Sequence, residues 1–195
     1  MKNLICHVMS LLIMIIFIVN FSSCYQKNKQ QMEIDRFSKE INDTILKIEK
    51  SNMFHLVNNS NVYFGTDSTN KIKLKQLVDS PKLMFYFSSN TCSPCIEETI
   101  EIMKEIFPNY EETDKIVFVS PDYPARYRNN CYGKKLLILD KNKLGLPIEN
   151  GQQSPFFLII NKNLQVQSMH VVNKMDFSRT KEYLKDISYR SLNGE

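Results

Sequence analysis

Cys92-Ser93-Pro94-Cys95 holds two sulfurs one helical turn apart, a spacing that serves a disulfide, a dithiol exchange pair or half of a zinc site. The flanking residues narrow the choice. Upstream, Pro81 opens Leu83–Phe87, a five-residue run suited to a strand buried on both faces. Downstream, Ile96, Ile100, Met103 and Phe107 recur as one stripe of a helix that Pro108 ends. Cys92 therefore stands where a helix begins. Unpaired backbone N–H groups and the helix dipole favour an anion there, so its sulfur can exist as thiolate at neutral pH. Pro94 is tolerated in the first turn because its missing N–H has no helical partner to lose. Zinc would need two further ligands, and Cys131, His55 and His170 offer none at zinc-site spacing. No metal is expected.

The elements that must position this pair follow from periodicity. Ile116–Val119, Leu136–Leu139 and Phe156–Ile160 read as further buried strands, and Lys71–Lys75 alternates like a half-buried one. Val62-Tyr63-Phe64 reads as a short strand among turn residues. Asn161-Lys162-Asn163 is a turn leading into Leu164–Val172, and Phe177–Ile187 is a terminal amphipathic helix. Ile34, Phe37, Ile41, Ile45 and Ile48 mark an amphipathic helix over Met32 to about Met53, which packs on the domain or on a partner. Strands alternating with helices predict an α/β fold, a central mixed sheet flanked by helices. Met169 and His170 point to opposite faces of a strand, which argues against a copper pair.

In this order the residues resemble the thioredoxin superfamily, and within it the membrane-tethered TlpA/ResA-like thiol-disulfide oxidoreductases. The resemblance rests on Phe87, on Cys92-Ser93-Pro94-Cys95, and on Ser154-Pro155-Phe156-Phe157-Leu158-Ile159, and spans residues 56–190. It implies a thioredoxin-like fold, with the interval from Cys95 to Pro155 carrying an extra strand and helix. It implies a redox-active Cys92–Cys95 disulfide with no other cofactor, Cys92 as nucleophile and Cys95 as resolving thiol. Pro155 would be cis and lie beside the sulfurs, and Ser154 would offer its backbone to an extended substrate; Thr91, Ser93 and Pro94 would complete the substrate surface. Glu98 matches the acid of the family's CxxCxxE pattern and is the candidate proton carrier, although Glu97, Glu98 and Glu101 could equally just complement the helix dipole. The implied partners are protein disulfides as substrates and a membrane dithiol as electron donor.

Two departures stand against the pattern. Thr91 replaces the usual tryptophan before the first cysteine, and the chain has no Trp at all. Tyr86 occupies the place of a buried aspartate, and a phenol with an ordinary pKa of about 10 is a poor base at neutral pH. These leave open a second reading, a non-catalytic binding lipoprotein on the same scaffold with an inert Cys92–Cys95 staple.

The amino end reads as an address. Lys2, the apolar stretch Leu4–Val19 and Phe21-Ser22-Ser23-Cys24 resemble a bacterial lipoprotein signal, cut before Cys24, whose sulfur is then acylated. The expected layout is signal 1–23, tether and amphipathic helix 24–55, thioredoxin-like domain 56–190 and tail 191–195. A lipid anchor places the domain in the cell envelope outside the cytoplasm, where disulfides persist. Of five cysteines, Cys6 leaves with the signal and Cys24 is acylated, so Cys131 lacks a mate: a buried structural thiol or an exposed redox partner. A chain of 195 residues with 43% hydrophobic and 24% charged residues can bury a core, which argues against wholesale disorder. Removing residues 1–23 takes one Lys from a net charge of +4, leaving +3, too weak and dispersed for nucleic acid.

Overall fold

The structure, a computed structural model, describes residues 2–140, 143–150 and 154–190, with residues 2–25 as backbone only. The side chains of the expected signal 1–23 and of Cys24, and the tail 191–195, lie outside the described residues. The chain divides into two compact units, Met1–Thr44 and Ile45–Glu195. Met1–Thr44 contributes most of α1 (Lys2–Asn52), with Ile34 and Phe37 59% and 60% exposed. The remaining turns of α1 belong to the second unit, where Ile45, Glu49 and Asn52 are buried.

That unit is built on one seven-stranded mixed sheet: β1 (Asn61–Phe64), β2 (Ile72–Lys73), β3 (Lys82–Tyr86), β4 (Ile116–Ser120), β5 (Leu137–Leu139), β6 (Phe156–Ile160) and β7 (Val166–Val171). The order is β2-β1-β5-β4-β3-β6-β7. β4 runs parallel to both β3 and β5, while β6 is antiparallel to β3 and β7 to β6. The helices are α2 (Leu74–Leu77), α3 (Ser93–Ile106), α4 (Ala125–Arg128) and α5 (Ser178–Arg190). This is a thioredoxin-like fold. The extra strand expected between its halves is β5, whereas the extra helix is reduced to the four residues of α4 and a 3-10 turn at Pro147–Asn150.

The apolar runs explain the centre of the sheet. Every residue of β3, β4 and β6 is buried, as three adjacent interior strands require. Leu83, Phe85 and Phe87 join Ile96, Ile100 and Met103 of α3 and Leu184 and Ile187 of α5 in one core, with Phe85 stacked on Phe157 at 4.6 Å. Lys82 anchors the start of β3, its buried ammonium held 3.0 Å from Asp79 and 2.8 Å from Asp114. The expected strand over Lys71–Lys75 survives only as exposed Ile72–Lys73. Leu74 is buried instead as the first residue of α2, and the Lys73 N–H donates to the Gln76 side chain, which starts that turn.

The edge strand β7 is closed by a buried polar cluster. Glu49 of α1 accepts the Val171 N–H at 2.9 Å, with His170 Nδ1 at 3.2 Å and Arg179 Nη2 at 3.1 Å. On its other side the imidazole Nε2 shares a hydrogen bond with the Thr180 hydroxyl at 2.9 Å. Met169 and His170 are both buried, and the imidazole is spent on this cluster. Burial alone would raise the Glu49 carboxyl, but the His170 hydrogen bond, the Val171 N–H and the Arg179 charge hold it below the usual carboxylate range. A lowered folded value means stability that is present above the ordinary carboxylate pKa and lost as pH falls through the folded one. Glu49→Gln should therefore lower unfolding stability by about 2–3 kcal/mol near neutral pH, less than a fully buried broken pair because Arg179 is partly exposed. Urea titrations should show that deficit shrinking below about pH 4, as the wild-type carboxyl takes up its own proton.

Candidate active site

The chain leaves β3 at Tyr86, and six residues later Cys92 caps α3. Its backbone is non-helical (φ −56°, ψ 116°), and the Cys95 N–H is shared between its carbonyl at 3.0 Å and its sulfur at 3.3 Å, which caps the helix start. Ser93 and Pro94 follow as exposed first-turn residues. Cys95 lies one turn further in, and the two cysteines form a disulfide with Cα atoms 5.3 Å apart. Cys92 is exposed, while Cys95 is only 6% exposed. An incoming thiol or disulfide can therefore reach the first residue more readily than the second.

A short loop joins β3 to this cap and has its own hydrogen bonding. Thr91 is 7% exposed; its hydroxyl oxygen accepts the Ser88 N–H at 2.9 Å, and its N–H donates to the Ser88 carbonyl at 3.1 Å. Expected on the substrate surface, Thr91 instead closes the turn that delivers Cys92. The next tie reaches across the sheet: Asp122, just past β4, accepts the Ser89 N–H and the Ser89 hydroxyl, both at 2.8 Å. Ser88, Ser89 and Asp122 were not among the residues expected from sequence. One signal pointed to Asp122, since loops at the carboxyl ends of neighbouring parallel strands meet at one edge.

Pro155 is buried and precedes β6, whose Phe156 pairs with Tyr86 at the end of β3. The register thus puts Pro155 at the sheet edge from which the chain departs toward Cys92. Its carbonyl accepts the Val172 N–H at 3.0 Å, and Ser154 beside it is half-buried. The expected cis bond is corrected: no cis peptide occurs among the described residues, and Ser154–Pro155 is trans. Burial of the ring and the strand bond to Val172 hold the residue in place with ordinary peptide geometry.

The acids are distributed differently from the resemblance. Tyr86 is buried and stacked on Phe156 at 4.5 Å. Burial, reinforced by the Glu149 carboxylate beside its hydroxyl, pushes the phenol well above its ordinary value, so it is neutral at physiological pH. Glu149 in turn accepts the Leu144 N–H at 2.8 Å and the Leu146 N–H at 2.9 Å. Glu98 is exposed on α3, as are Glu97 and Glu101. Cys131 is 3% exposed within the core, and burial pushes its thiol up to about 12. Among the described residues no cluster of His, Cys, Asp or Glu could hold a metal ion.

No protein-family model matches the chain, and no curated protein matches it. Solved structures are similar at low identity. Reduced Prx3 from Vibrio vulnificus is 15% identical with a TM-score of 0.46, over 68% of this chain and 97% of that one. A protein described as the thiol:disulfide interchange protein DsbE, from Chlorobium tepidum, is 14% identical with a TM-score of 0.38, over 69% and 98%. A third, described as a protein disulfide isomerase from Bacteroides thetaiotaomicron, is 13% identical with a TM-score of 0.43, over 69% and 88%. Strand order and the placement of the cysteine pair carry the fold class here, and the pair makes a redox function plausible.

The burial differences order the three described thiols by reactivity. After mild reduction, iodoacetamide followed by mass spectrometry should label Cys92 first and Cys95 more slowly. Cys131 should stay unlabelled until the protein is unfolded; labelling of native Cys131 at the Cys92 rate would contradict its burial.

Proposed function

We propose that the protein is a lipid-anchored thiol-disulfide oxidoreductase of the cell envelope that reduces disulfides in other proteins. One observation carries this reading: a disulfide at a helix start, with its first cysteine exposed and its second shielded. In the reducing direction the Cys92 thiolate attacks one sulfur of a substrate disulfide, forming a mixed disulfide and expelling the other sulfur as thiolate. Cys95, losing its proton, attacks the Cys92 sulfur, and the second substrate sulfur leaves as thiolate. Two electrons have then passed to the substrate, and Cys92–Cys95 is oxidised. A membrane dithiol resets the pair by the same two exchanges in reverse. Ser93, Pro94 and the Ser154 backbone are the proposed substrate contacts, with Glu98 the proposed proton carrier.

Trapping tests this directly. Cys95→Ser should accumulate mixed disulfides through Cys92, visible as thiol-sensitive bands on non-reducing gels, and Cys92→Ser should abolish both bands and turnover. Unchanged disulfide reduction by Cys92→Ser would end the proposal. The neutral phenol at Tyr86 favours one second reading, a binding scaffold with an inert staple. An inert pair would have a reduction potential below about −300 mV and resist glutathione buffers.

The anchor is proposed on the sequence of the amino end. Cells fed a labelled fatty acid should incorporate it into the wild-type protein and not into Cys24→Ala. Equal labelling of the variant would remove the lipid anchor while leaving the redox reading untouched.

A further inference from the structure

We infer that Asp122 is a positioning residue that lowers the reduction potential of the Cys92–Cys95 pair by clamping the loop that carries Cys92. The inference rests on the redox reading above and adds the device that tunes it.

The clamp has three fixed points. Asp122 receives both donors of Ser89, three residues before Cys92, in two bonds of 2.8 Å. Hydrogen bonds to a carboxylate are about twice as strong as neutral ones, and using both oxygens fixes the angle as well as the distance. Asp122 is itself placed by its neighbours: Ser120 is buried at the end of β4, and its hydroxyl oxygen accepts the Tyr123 N–H at 3.1 Å, so the residue sits within a short closed turn. On the far side of Ser89, the Ser88–Thr91 turn joins the loop to the helix cap. The backbone between β3 and α3 is thereby tied to the β4 end as well as to itself.

The consequence for redox chemistry follows from what reduction releases. Opening the disulfide gives two sulfurs that can separate, and the readiness of the pair to close again is an effective concentration set by how firmly the backbone holds them. A clamped loop keeps that concentration high, which favours the disulfide and makes the dithiol a stronger reductant. The Asp122 carboxylate, held against Ser89 three residues before Cys92, also disfavours a thiolate there, which acts in the same direction. Releasing the clamp raises the potential on both counts.

The test is the equilibrium of the full chain with glutathione, in which the protein disulfide and two glutathione thiols exchange for the protein dithiol and one glutathione disulfide. Asp122→Ala should shift it toward the protein dithiol by about three- to tenfold, which is about 15–30 mV for a two-electron couple. Asp122→Asn should shift it less, since the amide oxygen can still accept one of the two bonds. Ser89→Ala, a small change at an exposed position, keeps the carboxylate and removes one bond, so it reports on the clamp even if an Asp122 variant folds poorly. The double variant Asp122→Ala/Ser89→Ala should shift by less than the sum of the two single changes, because both remove one interaction. A pair that equilibrates at one unchanged potential in every variant, or strictly additive shifts, overturns the inference and leaves the redox reading standing. A wild-type pair that does not equilibrate with glutathione at all removes both.

Discussion

The site depends on a helix that starts with a sulfur. Four N–H groups at the beginning of any helix lack partners from the turn before, and here the Cys92 sulfur shares the one from Cys95 with the Cys92 carbonyl. That cap keeps its geometry only if the strand before it and the helix after it keep theirs. β3 is sealed on both faces, and the Ile96, Ile100 and Met103 stripe fastens α3 to the same core. The difference in exposure between the cysteines is a result of this construction. A residue at the cap stands outside the helix and faces solvent, while the residue three positions later has entered the first turn and is shielded. Chemical asymmetry of the pair thus follows from helix geometry before any neighbouring acid is considered.

Acids nevertheless decide how protons move, and their arrangement shows which are already committed. Glu149 receives two backbone N–H groups and lies beside the Tyr86 hydroxyl, so its oxygens hold the Leu144–Glu149 segment together. A carboxylate engaged in this way acts as an internal cap. Tyr86, pressed between Phe156 and that carboxylate, keeps its proton and fills space. Glu98, by contrast, is exposed on α3.

What could be read from the sequence divides by range of interaction. β3, β4 and β6 were legible to within a residue because burial on both faces leaves an uninterrupted apolar run. α3 was legible because its stripe, its Pro94 and the Pro108 stop are all local. Lys71–Lys75 misled because alternation over five residues fits a strand and a turn of helix alike, and the Gln76 side chain decides between them. The cis geometry expected at Pro155 rests on resemblance, and no residue nearby encodes it. Asp122 with Ser89, 33 residues apart, and Glu49 with Val171, 122 apart, are pairings of ordinary polar residues. Nothing in their types announces a partner; only the strand order brings them together.

The Glu49 cluster shows why such long-range pairs matter to a redox fold. β7 is an edge, and an edge strand exposes N–H groups that invite another chain to pair. Glu49 occupies one of these at Val171, and the next residue, Val172, donates its N–H inward to the Pro155 carbonyl. Two consecutive backbone groups therefore join the last turns of α1 to the proline at the active-site edge. Under the proposed thiol exchange, an extended substrate segment must be admitted near the cysteines while strand addition is refused elsewhere. Blocking the outer edge with a buried carboxylate, and leaving the surface around Cys92 open, meets both demands with a single sheet.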